Sequence, residues 1–357
     1  MKQRRHPEQT EVNAAPAKGL TILLADVRKL IVQARQGVAR AVDAGLTMLY
    51  WHVGQRVRRD ILSGKRAEYG EQIVSALSAQ LEREFGRGFG KRNLFRMVRF
   101  AEVFPDPKIV SALRTQLGWT HFRAIIALDD PLKRDFYAEM CRLEGWSTRT
   151  LEKKIGSLLF ERTALSKKPA KLARMELQRL RDEDRVTPDL VFRDPYILDF
   201  LGLKDTYAEK DLEAAILREM ESFLLELGVG FCFVARQQRM QIDDRDYYLD
   251  LLFYHRKLRR LIAIDLKIGQ FEAADKGQME LYLGWLKQHA CEPDEAKPLG
   301  MILCAGSSTE HIALLELQKS GIHVASYWTE LLPKQELERK LHEAVRLARL
   351  RLAAKED

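Results

Sequence analysis

Two carboxylates and a lysine stand in apolar runs where a buried strand tolerates charge poorly. Tyr247-Tyr248-Leu249-Asp250-Leu251-Leu252-Phe253-Tyr254 carries Asp250 at its middle, and Leu261-Ile262-Ala263-Ile264-Asp265-Leu266-Lys267 ends in Asp-x-Lys. The stretch between them, His255 to Arg260, is short and basic, so the two runs read as neighbouring strands of a hairpin. Alternation then puts Leu261, Ala263, Asp265 and Lys267 on one face, and Asp250 on a face with Tyr248 and Leu252. If the strands pair, three charged groups meet at one end of a sheet. An unpaired carboxylate there costs several kcal/mol or takes up a proton, so the arrangement calls for a cation, most naturally a divalent metal. The competing reading is a buried ion cluster closed by Lys267 or nearby arginines.

The elements that must position these groups follow from the surrounding pattern. Asp211 to Leu227 is an amphipathic helix closed by Gly228, with Glu213 on a side shared with Ile216, Leu217 and Met220. Val229 to Gln238 reads as the first strand, followed by the hairpin and a helix from Ala274 to His289 in which Gln278 and Tyr282 lie one turn apart. A strand at Gly300–Cys304, a helix at Thr309–Lys319, a strand at Ile322–Ser326 and a last helix, Lys334 to Leu352, complete an α/β domain with a mixed sheet. The last helix carries an apolar stripe that either seals the domain or pairs with a second copy. His255, in the basic turn, reads as a phosphate contact or surface residue.

Charge is divided unevenly along the 357 residues. Lys and Arg number 36 against 23 Asp and Glu in residues 1–190, a surplus of 13 cations; in 191–357 they number 23 against 28, a surplus of 5 anions. A basic part and a carboxylate-bearing part fit a polyanion partner and a bound cation, and nucleic acid plus metal satisfies both. No uncharged apolar run approaches the roughly 18 residues of a membrane span. The polar N-terminus has no apolar signal core, so a cytoplasmic protein is expected. Cys141, Cys232, Cys291 and Cys304 form no Cys-x-x-Cys pair and read as reduced thiols.

Residues 1–18 read as a disordered tail and residues 19–165 as a helical domain. Its candidate helices include Thr21–Asp43, Thr47–Leu62, Glu71–Phe85 and Lys91–Phe104, and Ser147 is a candidate N-cap for a helix ending at Phe160. The pair 71–85 and 91–104, joined by Gly86-Arg87-Gly88-Phe89-Gly90, has the outline of a helix-turn-helix. Arg92, Arg96 and Arg99 line one stripe of its second helix, with Leu94, Phe95, Val98 and Ala101 able to pack inward. A solvated basic face on an ordinary helical hairpin is the alternative. The glycine turn lacks a preceding strand and the spacing of a phosphate loop. Residues 166–190, with Lys167-Lys168-Pro169 and the charged run to Arg185, read as a partly helical linker, and 191–357 as the second domain.

Asp250 followed by Asp265-Leu266-Lys267, on adjacent strands after a helix and a first strand, resembles the signature of the PD-(D/E)XK nuclease superfamily. The stretches Phe223 to Gly228, Asp250 to Arg256 and Lys267-Ile268-Gly269 resemble one bacterial branch of it, as do Trp51-His52-Val53-Gly54, Tyr69-Gly70 and Phe85 to Phe89 in the first half. The resemblance implies an α+β multidomain chain: an all-α, helix-turn-helix-like N-terminal domain and a C-terminal restriction-endonuclease-like α/β domain. It also implies that Asp250, Asp265 and the Leu266 carbonyl bind Mg²⁺, with Mn²⁺ able to substitute, and that Glu213 adds an acidic group. Lys267 would act on the attacking water and the scissile phosphate; Gln238, Gln278 and Tyr282 would lie near metal or DNA backbone. The implied activity is DNA cleavage, with RNA as another substrate and a homodimer as one way to cut two strands. A non-catalytic nucleic-acid-binding or assembly protein on the same fold is the alternative.

Overall fold

The computed structural model describes residues 15–63, 67–203, 207–306, 315, 317–330 and 332–353. The chain divides into two compact units, residues 1–127 and 128–357. The first is helical: α1 (Ala15–Ser63), α2 (Ala67–Phe85), α3 (Lys91–Val103), α4 (Pro107–Leu113) and α5 (Trp119–Ile125). The expected tail lies mostly outside the described residues, but 15–18 already belong to α1. The two helices expected across 21–62 are one. Gly45 opens no break because no proline follows, and the Thr47 hydroxyl donates back to the Asp43 carbonyl at 2.8 Å.

Two contacts fix α1 in this unit. Trp51 is buried and its indole N–H donates to the Phe104 carbonyl at 2.8 Å. At Gly54 an added Cβ would lie 1.8 Å from the Met97 carbonyl oxygen, so only glycine lets α1 and α3 approach this closely. The buried side of α3 is Leu94, Met97, Phe100 and Ala101; Phe95, expected inside, is 38% exposed, with the Lys91 ammonium 6.0 Å from its ring centre.

The second unit begins earlier than the sequence pattern indicates. It contains α6 (Pro131–Glu144), α7 (Thr148–Gly156), α8 (Leu159–Arg162), α9 (Ala164–Lys167), α10 (Ala170–Glu183) and α11 (Pro188–Val191). Ser147 caps α7, its hydroxyl accepting from Thr150 N–H at 3.1 Å. The expected helix to Phe160 instead breaks at Leu158, which takes φ 53°. Much of the expected linker is α10, whose Ala173, Leu177 and Leu180 are buried. Its Arg181 donates to Glu139 of α6 at 2.6 Å, and Arg142 of α6 reaches the same carboxylate at 2.8 Å.

The sheet follows as β1 (Tyr196–Ile197), α12 (Glu209–Arg218), α13 (Met220–Leu227), β2 (Phe231–Ile242), β3 (Arg245–His255), β4 (Arg260–Leu266), α14 (Ala273–His289), β5 (Leu299–Cys304) and β6 (Ile322–Trp328). Among the described residues its order is β1-β6-β5-β4-β3-β2, antiparallel from β2 to β4 and parallel beyond. α12 and α13 cover one face over Leu251, Ile262, Ile264 and Leu303; α14 covers the other over Leu252, Ala263 and Ile302. The expected 211–227 helix is interrupted at Glu219, and two-residue β1 escaped the sequence reading because it is too short to show alternation. The helix expected at 309–319 lies largely outside the described residues. The C-terminal helix Lys334–Ala353 packs Leu337 and Leu341 against Leu158 and Trp328, so it seals this unit.

The glycines of α1 make opposite predictions. Gly54→Ala forces α1 and α3 apart and lowers stability by more than about 2 kcal/mol. Gly37→Ala, with nothing within 4 Å of the new Cβ, raises it by about 0.5–1 kcal/mol. Thermal unfolding of the two full-length variants checks the pair; equal effects of one sign contradict this packing.

Candidate active site

Register brings the two central carboxylates together. Leu251 pairs with Ile264 and Leu252 with Ala263, so the ladder continued by one step sets Asp250 opposite Asp265 on the face covered by α14. Asp250 Oδ2 accepts from the Leu266 N–H at 2.8 Å, which pins it to the end of β4. Asp265 is 3% exposed, and its Oδ2 lies 3.0 Å from the Lys267 ammonium yet finds no partner in hydrogen-bond geometry. A half-satisfied, buried oxygen of this kind retains the capacity to ligate a cation.

Electrostatics follow the burial. Desolvation pushes the Asp265 carboxyl up to about 6, with Asp250 adding to the rise and Lys267 opposing it. Asp250 is raised by burial against its hydrogen bonds from Leu266 and Gln237, and Glu213 by burial against its bond from Gln237. Burial alone would lower Lys267, but the Asp265 carboxylate more than offsets it and the ammonium stays charged.

Glu213, on α12, reaches this cluster indirectly. The Gln237 side-chain amide donates to Glu213 Oε2 at 2.9 Å and to Asp250 Oδ1 at 3.1 Å. Gln238, the residue singled out from the sequence, is not brought to the carboxylates; its amide donates to the Arg239 carbonyl at 3.2 Å. The reason is local. Gln237 takes φ 45° within β2, a conformation that strand alternation does not anticipate. Tyr282 is buried, donates to the Tyr248 carbonyl at 3.2 Å and accepts from Gln278 Nε2 at 2.5 Å, so this pair ties α14 to β3 two residues before Asp250. His255 is a core residue: it is buried against Phe231, its Nδ1 accepts from Leu258 N–H at 3.1 Å, and burial lowers its pKa to about 4.

Among the described residues no group of three or more His, Cys, Asp or Glu side chains gathers where it could hold a metal ion. The oxygens brought together are the carboxylates of Asp250 and Asp265, on paired strands, with the Leu266 N–H held against Asp250. This fits a hard divalent cation, which takes a few protein oxygens and keeps much of its hydration.

In the helical unit, Arg92 and Arg96 have a neighbour the sequence did not show. Arg96 is pushed below the ordinary arginine value by burial, then by Arg123 on α5 and by Arg92. These like charges cluster, whereas Arg99 is paired with Glu102 at 3.1 Å. Nothing in the sequence spacing of Arg123 linked it to α3; only the packing of α5 does.

Comparison with known proteins gives consistent matches. Residues 26–162 match the family described as DUF1016 N-terminal domain, and residues 189–342 match the YhcG PDDEXK nuclease domain. An Escherichia coli (strain K12) protein named "Putative nuclease YhcG" is 35% identical over 338 residues, covering 86% of this chain and 89% of its own. Two solved structures are also similar, each over 49% of its own length. One is a repair endonuclease from Pyrococcus abyssi, at 20% identity and TM-score 0.26 over 34% of this chain. The other is EndoMS in its apo form, at 16% identity and TM-score 0.25 over 36% of this chain.

The raised Asp265 carboxyl has a pH signature. Its pKa lies near 3.8 in the unfolded chain and about 6 in the fold, so the native state binds the proton more tightly and loses stability as pH rises through that window. In the presence of chelator, the stability of wild type relative to Asp265→Asn falls by about 2 kcal/mol between pH 4 and pH 7. Denaturant unfolding at several pH values measures it; a difference independent of pH contradicts a buried, cation-deficient carboxylate.

Proposed function

From the premise that this chain belongs to the YhcG family of PDDEXK nucleases, we propose that it is a Mg²⁺-dependent DNA endonuclease whose helical unit engages the same substrate. The observation that carries the reading is the juxtaposition of Asp250 and Asp265 across paired strands, with the Lys267 ammonium 3.0 Å from Asp265.

Asp250 and Asp265 would hold the metal through their carboxylate oxygens, with the Leu266 carbonyl as a third donor; Mn²⁺ has the same oxygen preference and would substitute. When bound, such an ion would lower the pKa of a coordinated water and offset charge developing at the phosphate. Lys267 would orient the attacking water and offset negative charge on the scissile phosphate, leaving Asp265 to the cation. Asp250, held by the Leu266 N–H, cannot swing away when a phosphate approaches. Gln278 and Tyr282 fix the backbone beneath the site, and Glu213 adds negative charge on the helix side.

In the helical unit, α2, the turn through Gly86–Gly90 and α3 form the proposed helix-turn-helix. Arg92, Arg96 and Arg123 repel one another, and a polyanion relieves that repulsion. Phosphate contacts of this kind give sequence-independent affinity that weakens with salt. Arg99, already paired to Glu102, contributes less.

Incubating the pure chain with Mg²⁺ or Mn²⁺ and linear, nicked and branched DNA should yield metal-dependent products. Asp265→Ala or Lys267→Ala should reduce cleavage at least about a hundredfold while DNA retention persists. A variant that still cuts removes the assignment, whereas binding without products from wild type assigns the chain to the non-catalytic class. The same assay with RNA decides the substrate. Arg92→Ala with Arg96→Ala should lower the dependence of log affinity on log salt by about one to two; an unchanged slope excludes this face.

A further inference from the structure

One residue of β2 departs from strand geometry without departing from the sheet. Arg236 pairs with Leu251 and Gln238 with Leu249, so the ladder is in register on both sides of Gln237, which nonetheless takes φ 45°. A non-glycine residue held in the left-handed region costs about 1–3 kcal/mol and persists where its surroundings require it. Here the requirement is visible. The one side-chain amide donates to Glu213 Oε2 at 2.9 Å and to Asp250 Oδ1 at 3.1 Å, bridging acids from two different elements.

These acids repel, and Asp250 is among the groups that raise the Glu213 carboxyl. A cation between them, or a group with two hydrogens to give, relieves that repulsion. The amide does so while carrying no charge, so it leaves the negative charge of the site intact. A lysine or arginine in its place would neutralise the acids permanently. A divalent cation approaching Asp250 needs the same lone pairs that the amide occupies.

We propose that Gln237 is a positioning residue that holds Glu213 and Asp250 together in the metal-free chain and releases them when a divalent cation binds, so that it sets metal affinity. The inference rests on the nuclease reading given above. Gln237 acts through the two carboxylates it bridges, Glu213 and Asp250.

Mn²⁺ titration of the full-length chain by electron paramagnetic resonance, with thermal unfolding in chelator and in saturating Mn²⁺, tests it without any substrate. Gln237→Ala keeps a Cβ at the same backbone angle but loses the amide. It should unfold at a lower temperature than wild type in chelator, recover that difference with Mn²⁺, and bind Mn²⁺ several-fold tighter. Gln237→Lys should bind Mn²⁺ at least tenfold more weakly while remaining as stable as wild type in chelator. A merely structural glutamine predicts the same loss with and without Mn²⁺ and unchanged affinity, and that result overturns the proposal. If wild type and Asp265→Asn take up no Mn²⁺ alike, the nuclease reading itself falls, and this inference with it.

Discussion

The structure turns on burying one carboxylate where two strands meet. Asp265 cannot move to solvent, because β4 is locked by β3 on one side and β5 on the other, and Leu266 beside it is packed under α12. A one-residue slip of β3 would carry Leu251 and Leu252 to the wrong faces, so the cores above and below the sheet enforce the register that sets Asp250 opposite Asp265. The hydrophobic layers therefore do the positioning. Their cohesion holds two acids in a place where electrostatics alone would separate them.

The chemistry-bearing core of this arrangement was legible because it violated a rule. Charges inside otherwise apolar, alternating runs can be read from sequence alone, and period-2 alternation correctly assigned Asp265 to a face with Leu261 and Ala263. The bridging amide was not legible. Gln237 and Gln238 are the same residue type one position apart, and only the left-handed turn of the backbone selects the first. Arg123 was missed for a related reason, since its proximity to Arg96 depends on how α5 packs and on no sequence spacing. The His255 reading failed on burial: a basic turn looked solvated, but its histidine is turned under Phe231.

Composition is less informative across residues 166–190, where the charged run reads as a partly helical linker. A run of charged residues normally marks a solvated linker, and here many of those charges are matched internally. Glu139 is fully buried between Arg142 and Arg181, and Arg162, 1% exposed, is paired with Glu226 of α13. Such pairs add modest net stability, because desolvation offsets much of their attraction, but removing one partner strands the other charge in the interior. Their effect is to make the position of the 131–183 helices specific. The helical stretch thereby becomes part of the unit that holds the sheet.

The charged groups of the site follow a different logic from these structural pairs. In the helices Glu139 meets two arginines, whereas at the site the Lys267 ammonium stands against Asp265, and Asp250 and Glu213 accept from the neutral N–H donors of Leu266 and Gln237. Neutral donors satisfy lone pairs without cancelling charge, so the fold secures the geometry of the acids and leaves their excess negative charge in place. That excess costs stability, and under the reading proposed above it is what would draw a divalent cation. Under the reading proposed above, the contrast between Asp265, whose Oδ2 meets no hydrogen-bond partner, and Glu139, held by two arginines, separates a carboxylate left able to ligate from one used to fix packing.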